Sequence, residues 1–198
     1  FLPHEDVRRQ CADAGMPAGR LTVTGMPISS SFFHREGKEK ARAVLALPEG
    51  KKIYLVMTGG IGCGDALKLC RAIRAVPDDD SLIVVLCGRN GELRASIAEE
   101  YGEEGGVRAV PFTDRVAAYM SAADVLLSKA GGISSSESAA FGIPLVHTMA
   151  IPGVETLNAQ FCADHGMSLF AENEDQAARF ADRLIYDAAA SARMMAAQ

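Results

Sequence analysis

Residues 128–146 read SKAGGISSSESAAFGIPLV, with two glycines, three consecutive serines and a glutamate between apolar runs. Two kinds of chemistry suit this turn. Ser134 and Glu137 stand three apart, the spacing of a helix capping box, and Gly142 followed by Pro144 suits a helix exit. That reading leaves Gly131 and Gly132 unexplained, since glycine is required only where the backbone is tight or something approaches closely. In the second reading, backbone amides near Ile133 and Ser134 face a diphosphate and Glu137 accepts two hydroxyl hydrogens from a ribose diol. The residues alone leave both readings open.

Other stretches carry related chemistry. Gly59, Gly60, Gly62 and Gly64 lie in TGGIGCGD (58–65) between an apolar run and a helical pattern, where backbone N–H groups and a helix N-terminus suit a phosphate. A tight turn explains them equally well. The loop is not GxGxxG, and the next strand ends CGRN, with Arg89 where an NAD site wants an acidic residue. An arginine there suits a 2'-phosphate, so an NADP-binding reductase stays open. No GK[ST] follows the glycines, which excludes a P-loop. In PGVETLNAQ, Glu155, Asn158 and Gln160 have the donors and acceptors that sort sugar hydroxyls, and are also ordinary helix-start residues. His4, His34, His147 and His165 are scattered, as structural histidines more often are, and only His147, at a strand end, is placed for a site role. Asp78-Asp79-Asp80 precede a strand rather than follow one and read as a solvated loop.

The elements that must position these residues alternate. Strands are expected at 21–23, 53–57, 82–87, 107–110, 124–128 and 144–148. Several are apolar throughout, the mark of strands buried on both faces of a parallel sheet. Helical patterns fall at about 64–76, 90–101 and 114–122, after the SSSE turn as far as Phe141, and at about 156–165 and 174–190. The alternation predicts an α/β, Rossmann-like doubly wound parallel sheet. In such sheets ligands bind beyond the carboxyl ends of the strands. TGGIGCGD, GRNGE, PFTD, KAGGISSSE and MAIPGVETLNAQ all fall on that edge.

With 198 residues, 48% apolar and 23% charged, the chain is long enough for one core. A net charge of -5 argues against a nucleic-acid surface. Cys11, Cys63, Cys70, Cys87 and Cys162 lack zinc-site spacing and predict a reduced, cytoplasmic protein. No run of about 18 apolar residues or signal-peptide pattern is present. The chain begins at Phe1 rather than Met, from which a fragment or trimmed chain is expected. GMPISSSF (25–32) reads as a linker, residues 1–24 as the tail of an upstream domain, and 25–198 as the ligand-binding domain.

VTGMPI (23–28), the Gly-rich loop, CGRN (87–90), PFTDRVAAYMSAADVLLSKAGGISSSESAAFGIPLV (111–146) and PGVETLNA (152–159) occur in this order. Together they resemble the C-terminal, donor-binding half of the two-Rossmann (GT-B) glycosyltransferases. The likeness is greatest to the monogalactosyldiacylglycerol synthases and processive diacylglycerol glucosyltransferases, with the lipid II N-acetylglucosaminyltransferase as a relative. It covers roughly residues 1–190, and 112–146 is its most specific stretch.

The resemblance implies a UDP-sugar donor and transfer of a hexosyl group to a lipid acceptor of diacylglycerol type. Phe112 and Thr113 would meet the uracil through backbone atoms. Glu137 would hold the ribose, and Gly131, Gly132, Ile133 and Ser134 the diphosphate. Gly59, Gly60 and Ile61 would line the cleft. Gly153, Glu155 and Asn158 would lie at the donor sugar. No metal or other cofactor is implied, the leaving UDP being stabilised by helix dipole and backbone donors. The acceptor site and the catalytic base would lie in an N-terminal domain, and the whole enzyme would sit peripherally on the inner membrane face. Two positions depart from the pattern. Ser29 stands where relatives often carry an arginine, for which Arg89 would compensate, and Val154 stands where they often carry a glutamine that bonds a sugar hydroxyl. A UDP-sugar 2-epimerase of the same plan, an NADP-binding domain and a non-catalytic nucleotide-binding module are the other readings.

Overall fold

Long apolar runs with β-branched residues find their place in the middle of a layered molecule. The computed structural model describes residues 1–57, 65–76 and 80–198. Six parallel strands form one sheet: β1 (Lys52–Met57), β2 (Ser81–Gly88), β3 (Val107–Pro111), β4 (Val125–Lys129), β5 (Leu145–Met149) and β6 (Leu169–Phe170). Their order, β3-β2-β1-β4-β5-β6, reverses direction between β1 and β4, as in a doubly wound Rossmann-like sheet. Leu55 in β1, Val84 and Val85 in β2, and Leu126 and Leu127 in β4 are fully buried, so the central strands are covered on both faces.

The helices are α1 (Glu5–Asp13), α2 (Lys38–Val44), α3 (Ala66–Arg74), α4 (Gly91–Tyr101), α5 (Val116–Ala122), α6 (Gly132–Phe141), α7 (Thr156–Asp164), α8 (Glu174–Tyr186) and α9 (Ala188–Ala197). One layer contains α3 packed on α4 and α8, with α8 also against β4, β5 and α9. On α5, which touches β1, packs α2. The ends follow local chemistry: Asp65, Asn90 and Asn173 cap α3, α4 and α8 with side-chain oxygens. Gly142 closes α6 in the left-handed conformation at φ 70°, as the Gly-x-Pro exit requires.

Two expectations are corrected. Residues 21–23 form no strand of the sheet; Val23 makes only an isolated parallel bridge to Leu2. The sixth strand is instead Leu169–Phe170, too short to show a pattern in sequence. The helix expected over 174–190 is two helices, because Asp187 leaves helical geometry and its carboxylate caps α9 through the N–H of Ala190 at 2.9 Å. The GMPISSSF stretch holds a short 3₁₀ turn, Ser30–Phe33, whose Phe32 is buried and which packs against α6.

Candidate functional site

The sheet opens a crevice where its strand order reverses, beyond the ends of β1 and β4. Met57, the last residue of β1, pairs with Ser128, so the chain leaving β4 starts at that crevice. After Lys129 and Ala130 it turns directly into α6. The residue before the helix is Gly131, extended at φ -70° and ψ 135°, and no side chain caps it. Ser134 is therefore the third residue of the helix and Glu137 the sixth, which overturns the capping-box reading. That box needs its serine at the extended position, and glycine occupies it here. The first bond into the helix runs from the Ser135 N–H to the Gly131 carbonyl at 2.9 Å. The N–H groups of Gly132, Ile133 and Ser134 have no acceptor among the described residues. No acidic side chain lies in the first turn, so the positive end of the helix dipole is not neutralised.

The two glycines have different reasons. A Cβ on Gly131 would lie 3.1 Å from Lys129 Nζ and 3.4 Å from Glu155 Oε1. A Cβ on Gly132 would meet nothing nearer than Met26 Cε at 3.5 Å. Gly132 is helical, so neither crowding nor backbone conformation demands glycine there. What its absent side chain leaves bare is a helix N-terminal amide.

Lys129 was not singled out in the sequence, where it reads as the polar end of a strand. Its ammonium pairs with the Glu155 carboxylate, whose Oε2 accepts from the Ile151 N–H at 3.2 Å. Glu155 is only 4% exposed. Pro152 and Gly153, the latter at φ 76°, complete a turn in which Val154 N–H bonds the Ile151 carbonyl at 3.1 Å. Asn158 Nδ2 donates to the Ala130 carbonyl at 3.2 Å. Gly153 and Glu155 in the loop, and Asn158 in the first turn of α7, thus belong to a segment stitched to the 129–132 turn. Gln160 bonds Asp164 on the exposed side of α7.

Glu137 lies three residues after Ser134 and four after Ile133, on the helix face that leads back to the open amides. Its carboxylate is half-buried and has no hydrogen-bond partner among the described residues; burial raises its pKa above the usual glutamate value. Beneath the same turn, His147 is fully buried. Its Nε2 lies 3.0 Å from Ser135 Oγ and its Nδ1 3.0 Å from Ser168 Oγ. Burial depresses its pKa to about 4. This neutral imidazole seats α6 on β5, the structural role more often expected of a scattered histidine.

Arg89 and Phe112 meet beyond the ends of β2 and β3, the guanidinium 5.5 Å from the ring centroid. Phe112 is 65% exposed, and Thr113 Oγ1 accepts from the Arg115 N–H at 3.1 Å. β2 is two strands from β4, about 10 Å across the sheet, so this group flanks the α6 turn. Ser29 Oγ lies 2.9 Å from Ser31 Oγ at the neighbouring 3₁₀ turn. Gly59, Gly60 and Ile61 lie outside the described residues. So do Asp78 and Asp79; Asp80 is exposed, near Lys51 on the opposite edge of the sheet.

Residues 55–186 match the Glycosyltransferase family 28 C-terminal domain. The chain is 28% identical over 189 residues to the processive diacylglycerol beta-glucosyltransferase of Bacillus licheniformis, an alignment covering 94% of this chain and 49% of that protein. It therefore spans about half the length of the curated relatives it matches. Among solved structures, MnaA of S. aureus with UDP superposes with a TM-score of 0.74 at 15% identity, over all of this chain and 55% of the other. A UDP-N-acetylglucosamine 2-epimerase described as putative, from Listeria monocytogenes, does so at 0.71 and 13% identity, over all of this chain and 54% of the other. At these identities the likeness is one of fold.

Proposed function

Since the chain belongs to glycosyltransferase family 28, carrying its C-terminal domain, we propose that it binds the donor, a UDP-sugar, at the N-terminus of α6. The observation that carries this reading is Glu137: a half-buried carboxylate without a partner among the described residues, on the same face as three unpaired helix amides. Burying a carboxylate without donors costs free energy. A ribose diol supplies two donors to Glu137, while the diphosphate accepts from Gly132, Ile133 and Ser134 under the helix dipole. The same amides stabilise charge on the departing UDP, so no metal is needed at the diphosphate. Phe112 and Thr113 flank the crevice on the side where the base would lie. The Lys129–Glu155 pair and Asn158 hold the loop that would face the sugar. The acceptor is proposed to be a lipid of diacylglycerol type, as the name of the B. licheniformis relative suggests.

Calorimetric titration with UDP, with NADP as control, tests this. UDP is expected to bind and NADP not. Glu137→Ala is expected to lose about 1–3 kcal/mol, roughly five- to 150-fold in Kd. Glu137→Gln should fold with an equal or higher Tm, because the desolvated charge is gone, yet still bind UDP more weakly. Absence of UDP binding, or full affinity in Glu137→Ala, would overturn the assignment. Consumption of UDP-N-acetylglucosamine without an acceptor would favour the epimerase reading instead.

A further inference from the structure

The leading segment and α7 bring His4 and Asp6 together with His165, which lies far away in sequence. His4 caps α1, Asp6 stands in its first turn, and His165 follows the last residue of α7. One ligand atom from each lies within 4.8 Å of the other two. Asp6 Oδ2 is 3.4 Å from His4 Nδ1 and 3.9 Å from His165 Nε2. Three ligands at tetrahedral angles around an ion at about 2.1 Å stand about 3.4 Å apart, so the three atoms are within a small side-chain adjustment of a coordination triangle.

Their orientation is prepared as well. His165 Nδ1 lies 2.8 Å from the Phe161 carbonyl, a bond that places the proton on Nδ1 and leaves the lone pair on Nε2, facing Asp6. The His4 ring packs edge-on against Phe161 at 4.6 Å, and Phe161 lies 4.1 Å from the His165 ring. Arg9 holds the other oxygen of Asp6. His4 Nδ1 accepts the Asp6 N–H at 3.2 Å, and a metal taking that nitrogen would replace this one cap bond.

We propose that His4, Asp6 and His165 form a site for a divalent transition metal of the zinc type, which fastens the leading segment to the end of α7. Two imidazoles and one carboxylate select zinc, nickel or copper over magnesium or calcium, and leave a fourth position for water. His165 stands at the opposite end of α7 from Glu155, about 15 Å along the helix. The site is therefore separate from the nucleotide crevice and does not depend on the donor assignment.

The test titrates Zn²⁺ into the whole 198-residue chain under reducing conditions. It is repeated on His165→Gln, His4→Asn (which keeps a helix cap) and Cys11→Ser, and paired with limited trypsin cleavage at Arg8 and Arg9. One equivalent is expected to bind in the micromolar range, about tenfold or more weakly in each histidine variant and unchanged in Cys11→Ser. Zn²⁺ should slow cleavage in α1, and chelator should restore it. No binding up to millimolar Zn²⁺, undiminished binding in His165→Gln, or loss in Cys11→Ser would each overturn the site.

Discussion

His147 shows how a side chain placed at a strand end, where a site role is possible by position, serves packing in the fold. Both ring nitrogens are engaged by serine hydroxyls, and in neutral imidazole one is a donor and the other an acceptor. Protonation would place a charge on a ring that burial cuts off from solvent. Its folded pKa of about 4 lies below the ordinary value of 6.5. The unfolded chain therefore takes the proton first as pH falls. The contribution of His147 is full above about pH 6.5 and shrinks as pH drops towards 4, amounting to about 3 kcal/mol over that window. Urea unfolding at pH 7 and pH 4 is expected to show that excess loss in the native chain and not in His147→Gln, whose stability at pH 7 is already lower. Parallel losses in both would remove His147 as the cause.

At the scale of elements, the open start of α6 is anchored rather than capped. Lys129 and Glu155, Asn158 and Ala130, and Ser135 and His147 tie its first turn to α7 and β5. On the opposite edge, Asp124 does comparable work for the framework. Its carboxylate accepts from Arg42 Nη2 at 2.9 Å, the Ile53 N–H at 2.7 Å and Lys38 Nζ at 2.7 Å, joining α2, β1 and the start of β4. Arg42 is 5% exposed. Asp124→Ala would strand a buried guanidinium and a strand amide, and a loss of about 3 kcal/mol is expected in thermal or urea unfolding. UDP affinity of the folded variant should not change, since the pair lies at the other end of the strands. A drop in affinity at temperatures where the variant is folded would contradict this separation.

For the whole molecule, the sheet order places one crevice at the β1–β4 junction and faces it with loops from β2, β3, β4 and β5. The chain spans 49% of the length of the B. licheniformis relative. The reading that the acceptor site and catalytic base lie in the other half predicts UDP binding with little or no sugar transfer by this chain alone. Incubation with UDP-glucose or UDP-galactose and diacylglycerol vesicles, followed by product analysis, checks it. Turnover comparable to that of a complete enzyme would mean that the base is within these 198 residues. No helix among the described residues is long and apolar enough to cross a membrane.

Much of this was determined by sequence. The buried strands are legible because IYLVM and LIVVLC are apolar throughout, as strands covered on both faces of a parallel sheet are. The exit of α6 is legible because Gly142 and Pro144 act locally. Glu137 is legible as a candidate through its residue type and its place after a strand. Tertiary structure decided the rest. Whether Ser134 caps α6 depended on where the helix begins, and Gly131 took the extended position. The two-residue β6 exists only because β5 offers it an edge. Lys129, Ser135 and Ser168 acquire roles from partners 26, 12 and 21 residues away. The His4–Asp6–His165 cluster joins the leading segment to the end of α7, a proximity that no local spacing encodes.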